Sequence, residues 1–122
     1  MAYLSPRLVT APQEHLELID IVYDLGEEDS SVAFGKWDGQ YCLLSRWNGS
    51  LDDERTKKGN PISHTYSTWF VLPSFIAQAT MTELLMLHAR GDARVNHEVL
   101  LRAIRALPPN SSLQPSAAAP VS

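Results

Sequence analysis

Cysteine is all but missing from this sequence: Cys42 is the single one among 122 residues. One thiol cannot close an internal disulfide, so the fold must hold without that staple, and a lone cysteine in a strand pattern reads as a small buried hydrophobe. Long apolar runs are missing as well. No segment approaches the roughly 20 apolar residues that cross a bilayer. The opening MAYLSPRLVTAPQEH lacks the apolar stretch of about 7–15 residues that a secretory signal requires. The expected compartment is therefore the cytoplasm, without membrane association. The sequons at Asn48 and Asn110 are then chance matches, because glycosylation belongs to secreted chains.

The recognisable chemical motifs are also missing. Only 6 glycines occur, and none forms the Gly-x-Gly-x-x-Gly or Walker turn that leads a nucleotide phosphate onto a helix start. No Gly-x-Ser-x-Gly elbow offers a nucleophile. His15, His64, His88 and His97 have no partner at zinc-ligand spacing. Asp52-Asp53-Glu54 lacks the calcium-loop pattern. No cofactor or metal is expected. Basic residues are scarce at the start: residues 1–30 hold Glu14, Glu17, Asp20, Asp24, Glu27, Glu28 and Asp29 against Arg7 alone.

What is present reads as an α+β domain over 1–107 with a Pro/Ser/Ala-rich, disordered tail over 108–122. Thr10 and Gln13 fit a capping box and Gly26 a stop, which predicts a first helix over 10–26. Ile19, Ile21, Val22 and Tyr23 favour a strand, but strict alternation would set Asp20 and Asp24 beside Leu16, Leu18 and Val22. Helical spacing separates these classes better, gathering Glu14, Glu17, Asp20, Asp24 and Glu28 into one acidic stripe.

Residues 31–37 and 40–47 read as strands joined by Asp38-Gly39, a pair suited to a two-residue type I′ hairpin turn. That register sets Lys36 opposite Tyr41, Phe34 opposite Leu43 and Val32 opposite Ser45. The opposite face, with Ala33, Gly35, Trp37, Cys42, Leu44 and Arg46, is mixed and expected to be partly covered. Residues 48–67 form a long polar loop, an unusual length for a compact domain. A buried strand over 68–72, a largely buried helix over 75–90 and a last helix from Asn96 to Leu107 complete the order α-β-β-β-α-α. Arg90-Gly91-Asp92 reads as a helix stop followed by a polar start, rather than as an adhesion motif.

The function expected from these features is a non-enzymatic interaction module, a small regulator or inhibitor. Its first-helix acids (Glu14, Glu17, Asp20, Asp24 and Glu28) and the loop residues Arg55, Lys57, Lys58, His64 and Tyr66 would bind a larger protein, such as a basic one that handles nucleic acid. One alternative is a small enzyme with His64 as acid/base beside Arg46 and Trp37. Another is a nucleic-acid module with Arg55, Lys57 and Lys58 beside Tyr66 and Trp37. A net charge of −4 and a pI near 5.4 weigh against direct nucleic-acid binding.

Overall fold

Asp38 and Gly39 both take positive φ, 51° and 82°, as a type I′ turn requires. They join β2 (Ser30–Trp37) to β3 (Gln40–Trp47) in the register expected, with Lys36 opposite Tyr41, Phe34 opposite Leu43 and Val32 opposite Ser45. The structure, a computed structural model, describes residues 5–50, 58–63 and 66–108. The tail beyond Pro108 and the 51–57 charge run lie outside the described residues.

The first helix is not formed. Leu16–Asp24 is instead β1, antiparallel to β2. Strict alternation fails here because β1 carries two register shifts, between Leu18 and Asp20 and between Ile21 and Tyr23. Each shift moves the following side chains to the other face. Leu16, Leu18 and Ile21 thus share one face, while Ile19, Val22 and Tyr23 reach the other. Ile21 pairs with Ala33 and Tyr23 with Val32, while Ile19 and Val22 fall at the two shifts, and no helical stripe arises. With β6 (Phe70–Val71) on the far side of β3, the sheet runs β1-β2-β3-β6 and is antiparallel throughout.

One face of this sheet is covered by two helices, α1 (Ser74–Ala89) and α2 (His97–Ala106). Among the described residues, no helix is long and apolar enough to cross a membrane. Phe34, Leu43 and Val22 meet Met81 and Leu84 of α1 and Val99, Leu100 and Ala103 of α2. Asn96 caps α2 as expected, its side chain accepting from the Val99 N–H at 3.3 Å. Gly91, at φ 94°, ends the preceding turn, and Asp92 accepts from the Tyr23 hydroxyl at 2.8 Å and from the Arg94 guanidinium at 2.9 Å. The Arg-Gly-Asp carboxylate is therefore part of a clamp between β1 and the α1–α2 turn.

The other face was expected to be only partly covered, but Ala33, Cys42, Leu44 and Arg46 are all buried. A short 3-10 helix (Pro6–Leu8), Val9 and Trp69 close it. The Trp69 indole donates to the Val9 carbonyl at 2.7 Å, so the apolar ring lies inside with its polar N–H satisfied. Gly35 is needed here because a Cβ would stand 2.6 Å from the Glu17 carbonyl oxygen. The 48–67 loop is not without structure: β4 (Ile62–Ser63) pairs with β5 (Tyr66–Ser67), and Trp47 and Asn60 exchange two 2.9 Å backbone bonds.

Arg46 joins these parts. It is 1% exposed. Its two terminal nitrogens donate to the carbonyls of Lys58 and Thr68, and its guanidinium lies over Trp69 at 5.9 Å. Burial pulls its pKa down to about 10, so the charge persists at neutral pH. No carboxylate pairs with it among the described residues; carbonyl dipoles and the ring face hold the charge instead.

Loss of this residue should be felt throughout the domain. Arg46→Ala should lower the unfolding free energy by roughly 3 kcal/mol in urea titration, because the buried Thr68 carbonyl loses this donor, the Lys58 carbonyl is left with the Ser67 hydroxyl, and the space of a buried side chain is emptied. Gly35→Ala should cost more than Gly39→Ala in the same assay. At Gly39 a Cβ meets nothing within 4 Å, so only the left-handed conformation resists it, by about 1 kcal/mol.

Candidate functional site

The strand assignment redistributes the five acids that were to form a row. Glu17 is exposed and stands opposite Lys36. Asp20 pairs with Arg7 at 2.8 Å and accepts the Ile21 N–H. Asp24 accepts from Gly26 N–H at 2.8 Å and from the Asn48 amide at 3.1 Å. Glu28 accepts from the Ser50 hydroxyl at 2.8 Å. Glu14 precedes the strand and is exposed. Asp20, Asp24 and Glu28 thus serve local structure, and the stripe expected of a helix is not formed.

Among the loop residues, Arg55, Lys57 and His64 lie outside the described residues. The Lys58 carbonyl accepts from Arg46 and from the Ser67 hydroxyl, and Tyr66 sits in β5 opposite Ser63. Of the residues expected beside His64 in an enzyme site, Arg46 is buried under Trp69 and Trp37 is half-buried. A cleft of about 380 Å³ is lined by Trp37, Tyr41, Cys42, Val71, Gln78 and Leu107 among others, without Arg46. Burial pushes the Cys42 thiol up to about 11, leaving it protonated and a poor nucleophile at neutral pH.

One titratable pair is conspicuous. His15 Nδ1 lies 2.6 Å from Asp38 Oδ1, and the His15 carbonyl accepts the Asp38 N–H at 2.7 Å. The imidazole stacks on Trp37 at 5.6 Å. The hydrogen bond to Asp38, then its charge, raise the His15 pKa above the usual value. Such a pair resembles the base and orienter of a hydrolase, but both side chains are exposed and neither a nucleophile nor an oxyanion pocket faces them among the described residues. It fastens the chain before β1 to the hairpin tip. His88 and His97 stack face to face at 3.9 Å. No group of three or more metal-ligating side chains converges among the described residues.

The largest departure from an ordinary surface lies on α1. This helix was expected to be largely buried, yet only Ala77, Met81 and Leu84 are. Phe75 is 75% exposed and Met86 47%, with Ile76 and Leu85 also exposed; at the adjoining sheet edge Phe70 is 56% exposed, with Val71 beside it in β6. The 68–72 strand is accordingly an edge strand rather than a buried one. At helical spacing Phe75, Ala79, Thr82 and Met86 fall within about 60° of one another, opposite the buried residues, and all four are exposed. The signal was legible as an apolar pattern running round the helix. What the pattern could not say is which side the domain itself would cover.

The pH dependence of the His15–Asp38 link has a definite sign. The folded pKa is raised, so the stabilisation is fully present below the ordinary value, 6.5, and is lost as pH rises through the folded value. A proton NMR titration should find the His15 midpoint above 6.5. Asp38→Asn should bring it back toward that value, and an unchanged midpoint would refute the link.

No family model, curated protein or solved structure matches this chain, so the functional reading rests on its own geometry.

Proposed function

We propose that the protein is a protein-interaction module whose contact surface is the outer face of α1 together with the β6 edge. The observation that carries this reading is the exposure of Phe75 and Met86 in line on a 16-residue helix whose opposite side is already in the core. Isolated exposed apolar residues are normal. A continuous apolar strip is a mark of an interface. A helix apolar on both sides is normally covered on both.

The electrostatic version, in which Glu17 and Asp20 recruit a basic partner, stays open as a contribution to encounter rate only. Asp20 is already neutralised by Arg7, and exposed charges act mainly on association kinetics. A regulator or inhibitor acting through bulk, without chemistry of its own, fits such a surface. An enzyme is less well supported, since the described clusters hold no activated nucleophile. Direct nucleic-acid binding is disfavoured by the net charge of −4.

The deciding experiment is capture of binding proteins by the immobilised chain, by Phe75→Glu, by Met86→Glu and by a Glu17→Lys/Asp20→Lys double variant, each checked for native circular dichroism. Both α1 variants should lose at least about tenfold in bound partner, as expected for removing a central apolar anchor, while the charge reversals lose far less. Capture unchanged by both α1 variants would reject this surface.

A further inference from the structure

We propose that the occupant of the α1 face is a second copy of this chain, bound through an antiparallel α1–α1′ contact. This rests on the interaction reading above and gives it a partner. The four seam residues are spaced 4, 3 and 4 apart, the spacing with which a helix meets another helix along a shallow seam. Their sizes run large, small, small, large: Phe75, Ala79, Thr82, Met86. Reversed, the order of sizes is the same. A two-fold contact requires such self-complementarity, because each residue of the patch must meet its counterpart read backwards.

In the antiparallel register Phe75 of one copy meets Met86 of the other at both ends, and Ala79 meets Thr82 on either side of the two-fold axis. Aromatic and thioether groups pack favourably against each other. The small central pair lets the two backbones approach. Electrostatics do not oppose the contact. Across Ser74–Ala89 the helix holds Glu83 as its one acid and neither Lys nor Arg, so two copies meet with little like-charge repulsion. The antiparallel arrangement also sets the helix dipoles in opposition, a favourable if small term. The same lack of Lys and Arg argues against a lipid surface, where an interfacial helix needs basic residues along its polar side.

The full chain should be examined by sedimentation equilibrium across the micromolar range. We expect a concentration-dependent rise from 13.6 kDa to twice that mass. Phe75→Glu and Met86→Glu should each remain at the monomer mass with native circular dichroism. The register is tested by mixing. Ala79→Glu and Thr82→Lys should each be monomeric alone. Together they should form a heterodimer resolved by native mass spectrometry, because the introduced carboxylate of one copy then faces the introduced ammonium of the other across the axis. Wild type that stays monomeric throughout overturns the self-association. The interaction module itself is decided separately, by whether Phe75→Glu loses its captured partner, as it would for a foreign helix. A dimer that survives both glutamate substitutions overturns the surface, and failure of the mixed pair to associate overturns the antiparallel register.

Discussion

The guanidinium of Arg46 is the constraint on which the rest of the molecule depends. A fully buried charge that meets no carboxylate among the described residues is tolerable only when dipoles surround it. Here the dipoles come from the Lys58 and Thr68 carbonyls, which belong to chain segments 12 and 22 residues away from Arg46 in sequence. Satisfying the charge therefore fixes where the chain returns after the long polar segment. Trp69, over which the guanidinium lies, reaches on to Val9. One side chain thus links the hairpin, the returning chain and the N-terminal cover of the sheet. The Asn48 amide does similar work alongside, joining Ser31, Asp24 and Gly26.

Closing that face with Arg46, Trp69 and the segment before β1 leaves the helices to serve only the other face. The two helices then divide the work unequally. α2 turns Val99, Leu100 and Ala103 inward, while Arg102 and Arg105 stand outward. It is an ordinary amphipathic cover. α1 buries only a narrow line of residues and leaves its outer side apolar, beside an edge strand whose own side chains are exposed. Edges and apolar strips together invite pairing. The interaction reading thus follows from how the core is closed, and does not depend on any catalytic or cofactor motif.

The hairpin, its register, the α2 cap and the glycine stop at Gly91 were all legible in the sequence, and so was α1 to within a residue at each end. Residues 16–24 were not. The β-branched run there was a fair strand signal, but two bulges broke the alternation that would have revealed it. Because the acidic stripe was inferred from the helix, the strand leaves those acids without a common helical row. Asp20, Asp24 and Glu28 proved to be fastened to Arg7, Asn48 and Ser50, partners remote in sequence. The α1 face was visible only as excess hydrophobicity, which reads equally as deep burial.

What the sequence determined by itself is what the backbone decides over a few residues: the Asp38-Gly39 turn, which needs two positive φ values, the Asn96 side chain that satisfies a helix start, and the glycine that ends one. These depend on local sterics and single hydrogen bonds, so they survive in any context. Tertiary structure decided the rest. Whether 16–24 would be helix or strand rested on pairing with β2. Whether Arg46 would be surface or core rested on carbonyls delivered by distant chain. Which side of α1 would be buried rested on the sheet having one face left to cover, a matter of packing that no local pattern encodes.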